Sequence, residues 1–248
     1  MSKTIVVTGG GRGIGRAVAL QGGSMGWSVG VGYRDDRAAA EAVVAQIEAA
    51  GGRAVATAGD VAVEADVLAL FDATEDVLGR IDGAVVNAGI AGPPSRLVDM
   101  REDRIRRTVD VNVIGALLCA REAARRLATS RGGRGGSIVL ISSAAARLGS
   151  PHEYVDYAAT KGAVDTLALG LAREMATDGV RVNAVRPGVI ETDMHASTGR
   201  PDRPALLAPL IPIGRAGSPD EVAQAIVWLL SDAASYTTGA LLDVSGGR

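Results

Sequence analysis

The sequence predicts an α/β protein in which helices cover both faces of a parallel β-sheet. Short β-branched apolar runs alternate with longer helical stretches almost to the end of the chain. The runs are continuously apolar, as in strands that are buried on both faces. Because crossovers between parallel strands are almost always right-handed, we expect one doubly wound Rossmann-type domain spanning residues 1–248. Its seven strands are expected in the order 3-2-1-4-5-6-7.

The strands are predicted from short apolar runs bounded by turn residues. They cover Thr4–Thr8, Trp27–Tyr33, Arg53–Ala58, Gly83–Asn87, Ser137–Ser142, Val180–Val185 and Leu241–Val244. A first helix opens after Thr8, and the pair Gly22 and Gly23 is expected to fray its end.

The later helices are predicted from apolar periodicity. They cover Arg37–Ala50, Val63–Leu78, Arg101–Ala128, Asp156–Ala176 and Pro219–Leu230. Pro219 suits a first helical turn, with Ser218 as the cap before it. The segment Pro187–Arg215 carries five prolines and little periodicity. It is long for a structureless connection, so we expect a mobile lid over a substrate site.

The composition is that of a protein with a large core and no nucleic-acid or membrane partner. Of the 248 residues, 47% are hydrophobic and 22% charged, with a net charge of −2. The Gly/Arg-rich stretch Ser130–Gly136 is interpreted as a surface loop. The single cysteine, Cys119, rules out an intrachain disulfide. No run is apolar for long enough to span a membrane. An apolar run directly follows Met1-Ser2-Lys3, so we expect no signal peptide and a cytoplasmic location.

A glycine-rich loop follows the first predicted strand. It reads Thr8-Gly9-Gly10-Gly11-Arg12-Gly13-Ile14-Gly15, with glycines in the pattern Gly-x-x-x-Gly-x-Gly. Glycines let the backbone turn tightly and approach a pyrophosphate, whose charge the following helix N-terminus stabilises. Such a loop alone is weak evidence, since it can be a simple turn. Between a strand and a helix at the start of a βαβ pattern, it predicts dinucleotide binding.

Tyr157 and Lys161 lie four residues apart in a predicted helix and therefore share one face. A phenol has a pKa near ~10, too high for proton exchange at neutral pH. A fixed ammonium nearby favours the phenolate and lowers that pKa, helped by a cofactor's positive charge. The pair is therefore predicted to act as a general acid/base.

Taken together, these motifs resemble the short-chain dehydrogenase/reductase family along the whole chain. The glycine loop, Asn87-Ala88-Gly89, Asn112, Ser143, Tyr157 with Lys161, and Pro187-Gly188 occur in the family's order. The overall pattern is similar to bacterial 3-oxoacyl carrier-protein reductases and to glucose-type dehydrogenases. The resemblance implies a nicotinamide-dependent oxidoreductase that interconverts a carbonyl and a secondary alcohol.

The resemblance also implies catalytic roles. Tyr157 would exchange the proton with the substrate oxygen, and Lys161 would lower the Tyr157 pKa and hold the nicotinamide ribose. Ser143 would stabilise charge on the substrate oxygen, and Asn112 would hold a water that connects Lys161 to solvent. Ser142 is the alternative to Ser143, because the spacing to Tyr157 is one residue longer than usual.

A second tyrosine, Tyr154, could compete with Tyr157 as catalyst. Ala158 stands where its lysine would be needed.

NADP(H) is favoured over NAD(H). The family's selecting acid usually falls at the last position of the second strand, which is Tyr33 here, and Arg34 follows it. A forked guanidinium suits a 2′-phosphate, although Asp35 and Asp36 lie close enough to favour NAD instead. The expected cofactor contacts are Gly9, Arg12, Gly13, Ile14, Gly15, Arg34, Asp60, Val61, Asn87, Ala88, Gly89, Tyr157, Lys161, Pro187, Gly188, Ile190 and Thr192. Asp60 could instead cap the next helix.

The leading function is an NADP(H)-dependent carbonyl reductase or alcohol dehydrogenase. The alternatives are a catalytically silent dinucleotide sensor and, within enzymes, an NAD-dependent sugar or alcohol dehydrogenase. Residues 1–90 would bind the dinucleotide, 91–186 would carry catalysis and 187–215 would form the lid. His152, His195 and Cys119 form no recognisable metal-ligand set, so no metal is expected. The resemblance implies a homotetramer or homodimer.

Overall fold

The computed structural model describes residues 3–248, and its seven strands form one parallel sheet. The expectation about a leader concerns Met1 and Ser2, which lie outside the described residues. The strand order is β3-β2-β1-β4-β5-β6-β7, which confirms the predicted fold class. The strands are β1 Thr4–Val7, β2 Ser28–Tyr33, β3 Arg53–Ala58, β4 Gly83–Val86, β5 Gly136–Ile141, β6 Val180–Pro187 and β7 Leu241–Val244.

Ten α-helices occur in the described part of the chain. They are α1 Gly13–Ser24, α2 Arg37–Ala49, α3 Glu64–Leu78, α4 Glu102–Val109, α5 Gly115–Leu127, α6 Ala145–Leu148, α7 Val155–Met175, α8 Asp193–Ser197, α9 Arg203–Leu207 and α10 Pro219–Leu230. Short 3-10 turns cover Leu97–Asp99, Thr129–Arg131, Ala176–Asp178, Ala208–Leu210 and Asp232–Ala234. Ser218 caps α10 in a capping box with Glu221, as predicted for this helix start.

The core has two layers, one on each face of the sheet. Apolar side chains of α1, α2 and α10 pack on one face, and those of α3, α5 and α7 pack on the other. The central strands β1, β4 and β5 contribute side chains to both layers in alternation. Cys119 is fully buried in the second layer, as expected for a packing residue.

The predicted long helix over Arg101–Ala128 is wrong as a single helix. It is divided into α4 and α5 by a π-helical turn over Asp110–Ile114, in which the Gly115 amide donates to the Asp110 carbonyl. Gly115 lies against the loop after β3, since a Cβ there would stand 2.7 Å from Val61 Cγ2. One turn of π-helix shifts the face that the following helix presents.

The predicted fraying at Gly22 and Gly23 is also wrong. Helix α1 continues to Ser24, and both glycines are buried. A Cβ at Gly23 would stand 3.0 Å from Ile47 of α2, and one at Gly22 would stand 3.2 Å from Ile5. Close packing against the sheet and α2 therefore outweighs the poor helix propensity of glycine.

The segment expected to form a lid has more regular structure than predicted. It contains α8, α9 and a 3-10 turn, and it is fixed at its start by a bridge between Ile190 and Gly217. These helices could not be recognised in the sequence, because each is only five residues long and the segment shows little apolar periodicity. Within residues 3–248, no helix is both long enough and apolar enough to cross a membrane.

Candidate active site

A cavity of about 470 Å³ lies at the carboxyl ends of the strands, where ligands bind in doubly wound sheets. Seventeen of the predicted site residues line it. They are Gly9, Arg12, Gly13, Ile14, Arg34, Asp60, Val61, Asn87, Ala88, Gly89, Ser143, Tyr157, Lys161, Pro187, Gly188, Ile190 and Thr192. Gly15 and Asn112 do not line the cavity and lie behind its wall. Chain segments far apart in sequence therefore meet at this cavity.

The glycine loop has a shape that only glycine permits at two positions. Gly9 has φ +64°, in the left-handed region. A Cβ at Gly15 would stand 2.2 Å from the Gly9 carbonyl oxygen and 2.6 Å from Asn87 Nδ2. The first turn of α1 is thus pressed directly against the loop before it.

Asn87 ties this loop to the end of β4. Its side-chain amide donates to the carbonyls of Thr8 (2.9 Å) and Gly9 (3.1 Å). The Thr8 hydroxyl in turn accepts from the backbone amides of Asn87 (2.9 Å) and Ala88 (3.0 Å). These bonds hold the loop open at the N-terminus of α1.

The loop fits a dinucleotide pyrophosphate. No described side chain caps the N-terminus of α1, so its first amides have no side-chain acceptor. Free helical amides and the positive end of the helix dipole together favour phosphate oxygens. Thr192, just before α8, closes this end of the cavity, since a Cβ at Gly13 would stand 3.4 Å from Thr192 Cγ2.

Charged residues surround the end of β2. Arg34 is half-exposed and donates through Nε to Asp35 at 2.6 Å. Asp36 is engaged as the N-cap of α2, where it accepts from the Ala39 amide. Arg12 lies close enough to Asp35 to lower the pKa of that carboxyl, although the Arg34 hydrogen bond lowers it more. Two guanidiniums therefore lie near the place where a 2′-substituent would bind.

Asp60 is held in place by Arg107, which donates to it at 2.6 Å. Burial alone would raise the Asp60 pKa, but the Ala62 amide and Arg107 outweigh it and the pKa is lowered. Asp60 does not cap α3, whose N-cap is Val63. That alternative interpretation is therefore wrong, because the chain makes an extra turn at Asp60 before the helix begins.

Tyr157 lies in the first turn of α7 and Ser143 two residues after β5, close enough for the Ser143 hydroxyl to act on the pKa of the Tyr157 phenol. Ser143 also accepts from the Ala145 amide at 3.1 Å. Ser142, the alternative, is buried and donates to the Lys161 carbonyl at 3.1 Å. Ser143 and Tyr157 thus both line the cavity, whereas the Ser142 hydroxyl is used in a backbone contact.

The Tyr157 pKa differs from the expectation for the pair. Burial raises it above its ordinary value, and the Ser143 hydrogen bond only partly offsets that effect. Lys161 Nζ lies 5.5 Å from the Tyr157 ring centre and donates to the Ile141 carbonyl at 2.7 Å. Burial lowers the pKa of Lys161 to about 8, against an opposing effect of Asp165. In the bare protein, desolvation therefore outweighs the attraction between phenolate and ammonium.

Asn112 fixes the loop after β4 to α7. Its Oδ1 accepts from the Ile90 amide at 2.8 Å, while its Nδ2 donates to the Ile90 carbonyl (2.8 Å) and to Thr160 (3.1 Å). The Thr160 hydroxyl donates to the Tyr157 carbonyl at 2.7 Å. The Asn112 side chain is thus occupied by protein contacts.

Pro187 and Gly188 end β6 beside the cavity. The Pro187 carbonyl accepts from the Ala144 amide at 2.9 Å, which joins this strand end to the loop that carries Ser143. A Cβ at Gly188 would stand 2.7 Å from Ser245 Cα.

His195 is half-buried and bonds through Nε2 to the Ile190 carbonyl at 2.9 Å. Burial lowers the pKa of the His195 imidazole.

Several residues of this region were missed or discounted in the sequence. Arg107 and Arg203 line the cavity, and Asp156 next to Tyr157 pairs with Arg104 at 2.9 Å. Tyr154 lines the cavity under the Arg203 guanidinium. Arginines in helical or loop segments carry no local signal of their partner, so spacing could not find them. In the described part of the chain, no group of three or more His, Cys, Asp or Glu could hold a metal ion.

Comparisons with known proteins agree on one group of enzymes. A family model described as "Enoyl-(Acyl carrier protein) reductase" matches residues 9–248. The chain is 49% identical over 243 residues to an uncharacterized oxidoreductase, YgfF, of Escherichia coli K12, covering 98% of both chains.

Two relatives bear the names that the sequence suggested. The chain is 38% identical to a 3-oxoacyl-[acyl-carrier-protein] reductase of Synechocystis (99% of this chain, 96% of the relative). It is 35% identical to glucose 1-dehydrogenase 2 of Bacillus subtilis (99% and 94%).

A solved structure has the same fold. A crystal structure of a short-chain type dehydrogenase/reductase from Mycobacterium marinum superposes with a TM-score of 0.92 at 35% identity. The alignment covers 99% of this chain and 94% of that one.

Proposed function

The chain belongs to the short-chain dehydrogenase/reductase family, and we propose that it interconverts a carbonyl and a secondary alcohol with NADP(H), using Tyr157 as acid/base. It is an NAD(P)-dependent oxidoreductase acting on alcohols or carbonyls. The observation that carries the proposal is one cavity shared by the glycine loop and by the Ser143, Tyr157 and Lys161 side chains. The silent-sensor alternative has no comparable support, since that set is complete here.

The proposed chemistry assigns one task to each side chain. A bound nicotinamide would supply or accept the hydride. Tyr157 donates its hydroxyl proton to the substrate oxygen during reduction and takes it back during oxidation. Ser143 donates a hydrogen bond to the same oxygen and stabilises the charge that develops there. Ser143 and Tyr157 line the same cavity, and the Ser143 hydroxyl is close enough to lower the Tyr157 pKa, so both donors can serve one substrate oxygen.

Lys161 and Asn112 support the proton transfer. The Lys161 ammonium, 5.5 Å from the Tyr157 ring centre, favours the phenolate once the site is closed. We propose that Lys161 also holds the nicotinamide ribose. Asn112 has its side chain fully engaged, so the water that links Lys161 to solvent would lie against its main-chain carbonyl in the π turn.

NADP(H) is the proposed cofactor because two arginines, Arg34 and Arg12, lie near the end of β2. Asp35 pairs with Arg34 and Asp36 caps α2, so each carboxylate is already used. The 2′-phosphate would replace Asp35 as the partner of Arg34, with Arg12 nearby. The adenine side is proposed to contact Asp60 and Val61.

The test measures oxidation of NADPH and NADH by wild type and variants against ketones, β-keto thioesters and aldoses. We expect a higher kcat/KM with NADPH, and Arg34→Ala should raise the NADPH KM by about tenfold or more without changing that of NADH. Arg16→Ala is the matched control, since Arg16 is exposed on α1 and pairs with Gln46. Equal effects of Arg34→Ala on both cofactors would reject the assignment.

A second arm isolates the chemistry. Tyr157→Phe should abolish turnover while NADPH binding, followed by fluorescence, survives. Turnover retained by Tyr157→Phe would contradict the mechanism.

The remaining features of the proposal concern organisation. Residues 1–90 would mainly bind the dinucleotide, 91–186 would carry catalysis and 187–215 would act as a mobile lid.

A homotetramer or homodimer is supported by exposed apolar side chains at Val109, Ile114 and Leu117. Light scattering in solution tests the assembly. A cytoplasmic location is proposed from the single buried cysteine.

A further inference from the structure

Asp165 is a carboxylate in the core of the protein, and one of its oxygens is unpaired. It lies on the buried face of α7, where only 7% of the residue is exposed. Its Oδ2 accepts from Arg186 Nε (3.0 Å) and Nη2 (2.8 Å). Its Oδ1 is buried and has no hydrogen-bond partner among residues 3–248. An unpaired buried carboxylate oxygen is costly, so packing alone does not account for an acid at this position.

Lys161 is a buried cation next to this carboxylate. It precedes Asp165 by one helical turn on the same buried face, and 4% of the residue is exposed. Side chains on a helix lean towards its N-terminus, so Asp165 leans over the turn that carries Lys161. Asp165 is accordingly the charge that opposes the effect of burial on the Lys161 pKa.

The groups that other parts of the fold place near the Lys161 ammonium are uncharged. The Ile141 carbonyl of β5 accepts from Nζ at 2.7 Å. The loop after β4 presents Gly89, where a Cβ would stand 3.4 Å from Nζ. On α7 itself, Tyr157 is the other titratable neighbour, with its ring centre 5.5 Å from Nζ. The carboxylate that balances the Lys161 charge therefore comes from Asp165.

Arg186 does not fully cancel the charge of Asp165, because it is shared with a second carboxylate. Arg186 lies on β6 opposite Asp243 of β7, and its Nη1 lies 4.0 Å from Asp243 Oδ1. Arg147 of α6 contacts the same Asp243 oxygen through Nε at 3.4 Å. Charges of alternating sign thus run from Lys161 through this cluster to Arg147 at the surface.

We propose, resting on the function proposed above, that Asp165 is a positioning residue of the reaction, which keeps Lys161 as an ammonium beside Tyr157. Arg186 in turn fixes the Asp165 side chain behind Lys161. Asp165 and Arg186 do not line the cavity, so both act through Lys161. Without the carboxylate, Lys161 would lose its proton near neutral pH and would no longer favour the Tyr157 phenolate.

Titration of the lysines by NMR tests this directly, since Lys3 and Lys161 are the two lysines of the sequence. With ¹³Cε-labelled lysine, the wild-type Lys161 signal should titrate at about 8. Asp165→Asn should lower that midpoint by about one pH unit or more, as for the loss of an opposite charge nearby. Lys3 is the internal reference, and Asp76→Asn, at an exposed position of α3, is the matched control. An Asp165→Asn midpoint that is unchanged or raised would overturn the proposal.

The direction of the shift separates this role from a structural one. A core loosened by Asp165→Asn would hydrate the ammonium and move the Lys161 pKa up towards 10.5, opposite to the expected change. Arg186→Met removes the competing cation and should raise the Lys161 midpoint. The double variant Asp165→Asn with Arg186→Met leaves neither partner of the ion pair alone, so it applies the same test where the single variant does not fold. Its Lys161 midpoint should lie below that of Arg186→Met, and equal midpoints would overturn the proposal.

A rate profile connects the titration with the reaction. The kcat/KM for reduction is measured at pH 6 and pH 8 with NADPH and the ketone, β-keto thioester or aldose that wild type reduces fastest. With a midpoint about one pH unit lower, the charged fraction of Lys161 at pH 8 falls from about one half to about one tenth. Asp165→Asn should therefore lose about fivefold at pH 8 and little at pH 6.

Two results of this profile have different meanings. An equal loss by Asp165→Asn at both pH values would mean a structural role and overturn the proposal. Absence of Tyr157-dependent turnover in wild type would instead reject the proposed function, and the lysine titration would still decide whether Asp165 holds the charge on Lys161.

Discussion

Lys161→Met should stabilise the folded protein at neutral pH while removing activity. Lys161 is 4% exposed, and burial lowers the pKa of its ammonium from 10.5 to about 8. That difference corresponds to roughly 3 kcal/mol of destabilisation when the group is charged. The variant leaves the Ile141 carbonyl without its donor, which costs about 1 kcal/mol. The net expected gain below pH 8 is therefore about 2 kcal/mol.

The pH dependence gives this prediction its sign. The folded-state pKa lies below the unfolded value, so between about pH 8 and 10.5 the unfolded chain binds more protons. Wild-type stability should rise through that window relative to the variant, and the order of stability should reverse at its upper end.

The assay is urea unfolding followed by circular dichroism from pH 7 to pH 10.5. Lys3→Met is the control for losing a lysine, since Lys3 and Lys161 are the two lysines of the sequence. A variant less stable than wild type at pH 7, by an amount independent of pH, would refute the reasoning.

Two further substitutions test the site. Ser143→Ala should lower kcat by about a hundredfold, because it removes one hydrogen-bond donor to the charge that develops on the substrate oxygen. Ser142→Ala should mainly lower the free energy of unfolding, by about 1 kcal/mol. Steady-state kinetics and unfolding separate the two effects, and equal losses of kcat would contradict the assignment. Gly15→Ala places a Cβ 2.2 Å from the Gly9 carbonyl oxygen, so NADPH binding should be lost and the free energy of unfolding should fall by about 1 to 3 kcal/mol. Fluorescence titration and unfolding measure the two effects. Unchanged NADPH affinity would contradict the expectation by showing that the loop tolerates the shift.

The fold and the backbone of the site could be predicted because local patterns determine them. Strands such as Arg53–Ala58 and Leu241–Val244 were found at their observed bounds, since apolar runs between turn residues identify them. The glycine spacing reflects a real steric limit at Gly15.

Features that depend on tertiary contacts could not be predicted. The π turn at Asp110–Ile114 interrupts a stretch whose apolar pattern continues across it. Arg107 and Asp60 are 47 residues apart, and neither signals the other in sequence. The raised Tyr157 pKa depends on burial, which helical spacing with Lys161 does not reveal.

Titration of Tyr157 by NMR tests most directly whether this residue is the acid/base. The sequence has four tyrosines, so selective ¹³C labelling of the phenol carbon gives few signals, and Tyr157→Phe assigns the relevant one. In the free protein Tyr157 should titrate above its ordinary value, because burial raises its pKa. Saturation with NADP⁺ should lower that pKa, and Lys161→Met should remove the lowering. A Tyr157 pKa that stays raised and unchanged in the presence of NADP⁺ would contradict the proposed role.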